Sequence, residues 1–194
     1  TEEDMTVIGN TNPKVTGGFG LSGSWKNLDF TAFFNYMCDF DVFNVNKLYL
    51  NSAVRRNYSN LSTNMNLARR FRYVDDAGVN VSSDPVALAA LNQNAATYSW
   101  MSVTQGITMS DLIEDGSFLR LSTLTVGYTL PHKWTRSFHV SKLRVYATGQ
   151  NLFCLNNYSG YDPEVNIQKG LTPGIDNNVT PRSRVYTLGM NLNF

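Results

Sequence analysis

Gly18-Phe19-Gly20-Leu21-Ser22-Gly23 has the spacing G-x-G-x-x-G, in which glycines let a backbone turn close on a pyrophosphate at a helix N-terminus. That chemistry requires a helix after the third glycine, and here a second alternating segment follows instead. His132 and His139 flank Lys133-Trp134-Thr135-Arg136-Ser137-Phe138, with no Asp, Glu or Cys at metal-ligand spacing beside them. This stretch reads as a short basic turn carrying an interfacial Trp. Asp162 and Glu164, separated by Pro163, are of the type that ligates calcium, but two carboxylates do not establish a site. Arg55, Arg56, Arg69, Arg70 and Arg72 place half of the arginines in one stretch, suited to an anionic ligand or lipopolysaccharide phosphates. Residues 45–116, however, hold six basic and six acidic side chains, so ion pairs within the stretch are the default expectation. No Ser, His and Asp arrangement suggests nucleophilic catalysis. Cys38 and Cys154 are too few for a disulfide scaffold or a four-ligand zinc site.

The composition narrows the setting in which these residues work. Lys and Arg number 16 against 15 Asp and Glu, which excludes a nucleic-acid binder acting through bulk positive charge. Charged residues make up 16%, against about 25% in soluble domains. Their place is taken by 22 Asn, 17 Thr and 16 Ser, alongside 24 aromatic residues, a load that a disordered chain does not carry. The longest apolar run, Val86–Leu91, is far short of a membrane helix. The chain opens on Thr1-Glu2-Glu3-Asp4 without an initiator Met or targeting sequence, which we read as a mature or truncated piece.

Apolar residues are spread at every second position. In residues 17–26, Phe19, Leu21, Gly23 and Trp25 alternate with Gly18, Gly20, Ser22 and Ser24. After a tight Lys26-Asn27 turn, Leu28, Phe30, Ala32, Phe34 and Tyr36 alternate with Asp29, Thr31, Phe33 and Asn35 in a strand near 28–40. Three more strands are predicted near 118–130, 142–153 and 184–194. In the first, Leu124, Val126 and Tyr128 oppose Thr123, Thr125 and Gly127, while Leu119 and Leu121 fall out of phase, which requires a bulge near Ser122. In the second, Val145, Ala147 and Gly149 oppose Tyr146, Thr148 and Gln150. In the third, Tyr186, Leu188, Met190, Leu192 and Phe194 oppose Thr187, Gly189 and Asn191.

A strand of about ten residues at ~3.3 Å each, tilted ~45°, rises roughly 23 Å, close to the ~25 Å apolar band of outer-membrane barrels. A soluble β-sandwich also alternates. The apolar sets here begin or end in aromatics (Trp25, Tyr36, Tyr186, Phe194), as an interfacial girdle does, and the opposite faces are small and polar, as a wet lumen is. Short connections alternate with long ones near 41–117 and 154–183, the pattern of periplasmic turns and extracellular loops. We therefore expect an all-β chain, an antiparallel transmembrane β-barrel segment. Gly18, Gly20, Thr125, Tyr146, Thr148 and Gln150 would face the lumen, the glycines making room for a plug or loop. Inside the first long connection, Asp84-Pro85 before Val86–Leu91 predicts a capped helix, and residues 51–71 are a second candidate.

Asp115-Gly116-Ser117-Phe118-Leu119-Arg120-Leu121, then Leu124–Pro131 and Leu143–Phe153, resemble the SusC/RagA-like TonB-dependent outer-membrane transporters. So do Tyr158-Ser159-Gly160-Tyr161-Asp162-Pro163-Glu164-Val165, Pro181-Arg182-Ser183-Arg184 with the last strand, and Val7–Asn10 with Asn12-Pro13-Lys14. The resemblance is ordered along the whole chain and weakest over about 45–114. It implies a 22-stranded barrel of which residues 1–194 supply about the last five strands, with the plug, the TonB box and any front domain outside the chain. It implies import of glycans or peptides across the outer membrane, no enzyme activity and no cofactor. Its implied partners are the rest of the barrel and its plug, a SusD-like surface lipoprotein acting as a lid, TonB acting through the plug, and outer-membrane lipid, but no nucleic acid. In the same terms, Phe194 with Leu192 and Met190 resembles the terminal aromatic signal read by the barrel-assembly machinery. The competing reading is a soluble all-β glycan-binding module.

Overall fold

A computed structural model describes residues 6–50, 62–63, 69–96, 110–165 and 173–194. The chain divides into two compact units, residues 1–43 with 113–194, and residues 44–112. In chain order the elements are β1 (Val15–Trp25), β2 (Leu28–Cys38), β3 (Asp41–Asn44), α1 (Val45–Leu50), α2 (Pro85–Asn92), β4 (Ile113–Asp115), β5 (Phe118–Thr129), α3 (His132–Thr135), β6 (Lys142–Asn156), β7 (Ile175–Asp176) and β8 (Val185–Asn193).

The first unit is built on one antiparallel sheet in the order β1-β2-β5-β6-β8, with β1 and β8 at opposite edges and no closure between them. This is the antiparallel arrangement that the alternation predicts. Lys26 takes the β1–β2 turn with φ of 54°. Cross-strand partners share a face, so the register sorts the side chains across the whole sheet. One row reads Leu21, Ala32, Leu124, Gly149 and Tyr186; the next reads Gly23, Phe30, Val126, Ala147 and Leu188; a third reads Trp25, Leu28, Tyr128, Val145 and Met190. Phe19 stacks on Phe34 at 4.9 Å between ring centroids. These side chains carry no second layer: Leu188 is 86% exposed, Tyr186 73% and Trp25 68%.

The opposite face is small and polar, with a row of four threonines, Thr31, Thr125, Thr148 and Thr187, crossing four strands. The register shifts where Phe33 and Phe34 of β2 meet Thr123 and Leu121 of β5. Ser122 is the extra residue, and it returns Leu119 and Leu121 to the apolar face. Between the same β5 residues, β6 holds two residues, Asn151 and Leu152. Cys38 on β2 and Cys154 on β6 flank β5 and are free thiols.

The connections hold more regular structure than alternation alone suggests. The long connection begins in β3 and ends in β4, which pair with each other and with β7 in a small second sheet. The 131–141 link winds into α3 and a 3₁₀ turn, Arg136–Phe138. Its apolar and polar residues lack a clear helical stripe, because one turn is too short to show one.

In the second unit, Leu48 of α1 and Leu112 are buried. Asp84 caps α2, its carboxylate accepting from the amides of Val86 and Ala87 at 2.9 and 3.1 Å, with Pro85 as the first helical residue. Asn92 at the other end exchanges hydrogen bonds with the backbone of Arg72, both at 2.8 Å. Arg72 in turn pairs with Asp76 at 2.6 Å. Arg55, Arg56 and most of the 51–71 helix candidate lie outside the described residues. Asp84→Ala removes both cap bonds and should lower the local stability of α2 by about 1 kcal/mol. Faster hydrogen exchange at the Val86 and Ala87 amides, with exchange in β5 unchanged, is the expected result.

Candidate functional site

Two places in the first unit bring polar side chains together: the polar face of the sheet, and the end of the sheet that carries the long connections. On the polar face, Arg144 of β6 reaches across β5 to Asp29 of β2 in a two-pronged bond, Nε to Oδ1 at 2.9 Å and Nη2 to Oδ2 at 2.5 Å. The guanidinium lies 5.0 Å from the Tyr146 ring centroid. Both groups need intervening glycines: a Cβ on Gly127 would strike the guanidinium, and one on Gly189 would strike the Tyr146 ring. One row up, the hydroxyls of Thr125 and Thr148 hydrogen-bond at 2.9 Å. Gln150 stands beside Thr123 and Val185. Thus Thr125, Tyr146, Thr148 and Gln150 share one face. Gly18 and Gly20 lie on the same face, and the room they leave is taken up by the Phe33 ring, within 3.0 Å of a Cβ built on Gly18 and 3.6 Å of one built on Gly20. Met190 and Leu192 project from the opposite, apolar face of β8.

At the long-connection end a small core forms from Phe40, Val42, Phe118, Tyr158 and Val165. Arg120, on the polar face of β5, enters it with its side chain only 5% exposed. Its Nη2 donates to Asp162 Oδ1 at 2.5 Å, and its Nε lies 3.5 Å from Glu164 Oε2. The same Nε has no hydrogen-bond partner among the described residues. The guanidinium also sits over the Phe118 ring, 5.4 Å from its centroid. Asp162 accepts two further bonds: Oδ1 from the Glu164 amide at 3.0 Å, and Oδ2 from the Arg182 amide at 3.3 Å. Arg182 closes the chain of charges with a 2.5 Å bond to Glu164 Oε1. The carboxylates of Asp162 and Glu164 are thus both engaged by guanidinium groups.

Beside this network the Tyr158 hydroxyl donates to Asp176 at 2.6 Å, and Glu114 accepts from both the amide and the hydroxyl of Ser159 at 2.8 Å. Burial, reinforced by the bond to Asp176, pushes the Tyr158 hydroxyl well above its ordinary range, so it stays a donor. Burial also raises the Glu164 carboxyl, against the opposing pull of Arg182 and Arg120. Sequence reasoning missed Arg120 as a hub. The available signal was a lone arginine on the polar phase of a strand otherwise lined with small residues, which demands a buried acidic partner.

A five-stranded open sheet with one apolar face bare of any layer, one small-polar face, and connections that are short at one end and long at the other defines a wall segment of an outer-membrane-type β-barrel. No family model matches the chain. It is 35% identical to TonB-dependent receptor SusC of Bacteroides thetaiotaomicron over 71% of its own length and 12% of that protein. It is 26% identical to TonB-dependent receptor P3 of Formosa agariphila over 98% of its length and 17% of that receptor. Among solved structures, the RagAB peptide importer in its open-open state superposes with a TM-score of 0.71 at 26% identity, over 94% of this chain and 17% of that one. The closed-closed state gives 0.72 at 23% identity, a likeness of fold. The chain spans less than a fifth of the length of the curated relatives it matches. It is a segment of a SusC-like TonB-dependent transporter.

Removing the Asp162 charge leaves Arg120 buried against a more distant carboxylate, a defect worth about 3–5 kcal/mol. Asp162→Asn should accordingly expose residues 158–165 to limited proteolysis. Glu164→Gln keeps an acceptor for Arg182 and should cost no more than about 1 kcal/mol. Because the Glu164 carboxyl is raised on folding, its contribution is complete below the ordinary carboxylate range and is lost as pH rises through the raised value. The Glu164 amide should then be better protected from exchange at mildly acidic pH than at neutrality, and this difference should vanish in Glu164→Gln.

Proposed function

We propose that this segment forms part of the wall of an outer-membrane nutrient importer, with lipid against the apolar face and the transport lumen against the polar one. The observation that carries the reading is the unbroken division of side chains across five strands in register, with the apolar side uncovered. Gly18, Gly20, Thr125, Tyr146, Thr148 and Gln150 then line the lumen, where the plug of the transporter would pack. The short connections at 26–27 and 131–141 face the periplasm, and the capped end built around Arg120 faces the cell surface. A SusD-like lipoprotein would close over that surface end, and TonB would act through the plug. One structural relative is by name a peptide importer, which supports the import reading. Our reading is that the cargo is a glycan or peptide and that the segment has no enzymatic role.

A pair of substitutions one residue apart tests the sidedness in the whole transporter. Leu188→Arg places a charge on the lipid face and should cost about 2–4 kcal/mol near the midplane. Thr187→Arg, on the lumen face, should leave the amount of folded, heat-modifiable barrel in the outer membrane near wild type. Equal loss at both positions would overturn the assignment of faces, and a wild-type transporter monodisperse without detergent would overturn the membrane reading itself.

Phe194, Leu192 and Met190 are the residues we assign to recognition by the assembly machinery. Phe194→Ala should reduce the inserted amount, measured by quantitative blotting of outer membranes, while uptake per inserted molecule stays unchanged.

A further inference from the structure

Charge is distributed unevenly along the strands of the first unit. At the long-connection end (residues 6–18, 36–43, 113–120, 154–165 and 173–184) there are seven acidic side chains and four basic ones. At the short-connection end (residues 24–29, 129–144 and 190–194) five basic side chains, Lys26, Lys133, Arg136, Lys142 and Arg144, face a single acid, Asp29. Arg144 is spent on Asp29. Lys26, Lys133, Arg136 and Lys142 are exposed and enter no salt bridge among the described residues. The acids of the other end lie an 11-residue strand away, ~36 Å at ~3.3 Å per residue, several Debye lengths in physiological salt. They cannot neutralise this rim.

The rim is ordered rather than frayed. The Thr129 amide donates to Asn27 O at 2.8 Å, tying the β1–β2 turn to the end of β5. The Ser141 amide and hydroxyl both donate to Asn193 O, at 2.8 and 2.9 Å, tying the β5–β6 link to the end of β8. Within the link Thr135 is buried, and Trp134 beside it is 62% exposed. Lys26 shows where its cation points. Its Nζ lies 4.6 Å from the ring centroid of Trp25, which belongs to the uncovered apolar face. A cation is thus held beside the exposed Trp25 at the border between the apolar face and water, and Trp134 is a second exposed indole at this end of the sheet. Indole rings settle at the headgroup level of a bilayer, and lysine and arginine there reach for phosphate oxygens.

We propose that the short-connection rim binds the headgroup of an anionic glycerophospholipid, with Lys26, Lys133, Arg136 and Lys142 supplying the phosphate contacts and Trp25 and Trp134 bracketing the glycerol region. The proposal rests on the membrane reading above and goes beyond it by assigning a lipid class to one end of the wall. Each basic side chain near an anionic surface contributes about fivefold in affinity. Replacing three of them should therefore lower binding by about a hundredfold.

The test uses the whole transporter in detergent, titrated with short-chain phosphatidylglycerol, phosphatidylcholine of the same chain length, or lipid A, and read by native mass spectrometry. The expected result is preferential retention of phosphatidylglycerol that falls with added salt and is lost in K133Q/R136Q/K142Q, with a smaller loss in K26Q. Equal binding of phosphatidylglycerol and phosphatidylcholine by the wild type would overturn the proposal. So would a triple variant that keeps the preference, displacement of the lipid by inorganic phosphate, or a preference for lipid A. Heat-modifiable migration of the same samples separates the two levels of inference. A wild-type barrel that migrates as folded and shows no lipid preference defeats the headgroup site alone. A wild type with no folded barrel form defeats the membrane reading, and the site with it.

Discussion

In hydrocarbon a backbone N–H or C=O has no water to turn to, so each must find its partner in a neighbouring strand. That requirement governs this sheet. It explains why the ladder from β1 through β2, β5 and β6 to β8 is nearly continuous, with its irregularity confined to one zone between Thr123 and Phe153. On the proposed membrane reading, lipid takes the place of a second protein layer over the apolar face. The backbone requirement also sets the demand at the margins: β1 and β8 each pair on one side only, and an open edge is not tolerated at membrane depth. In a transmembrane barrel such edges are satisfied by pairing with further strands.

The long-connection end answers a different constraint. There the chain leaves the sheet and must fold over its rim with few residues to bury, so a small aromatic core is supplemented by charge. Arg120 projects from the wall itself, while Asp162, Glu164 and Arg182 arrive from the connection between β6 and β8. Buried ion pairs of this kind add little net stability compared with an apolar alternative, but they penalise wrong arrangements heavily. The connection is thereby held in one position over the wall. The Arg144–Asp29 fork nearer the other end is part-exposed rather than buried, and it spans β5 to link β2 and β6.

The alternation of Phe19–Trp25, Leu28–Tyr36 and the three later segments made the strands and their faces legible, because a two-residue period is written locally in the chain. The displaced phase of Leu119 and Leu121 even located the bulge. The Asp84 cap was equally local. What escaped was what depends on distant residues. Arg120 and Asp162 are 42 positions apart, and Arg144 and Asp29 are 115 apart, so neither pair has a sequence signature. The small β3–β4–β7 sheet has strands too short to show a period. Gly18 and Gly20 were readable as space, but their occupant, Phe33, became apparent only when the register set its ring against them.

Ser122 gives β5 a property that its neighbours in the strand lack. The residues on either side of it already alternate correctly across the gap, Leu121 facing Phe34 and Thr123 facing Phe33. Loss of Ser122 would leave the other side chains of β5 on their present sides. Loss of any other residue within the regular part of the strand would turn one half inside out, sending threonines into lipid or leucines into water. The bulge is thus the one joint in β5 at which the length of the chain can vary by a residue while the wall keeps its two surfaces.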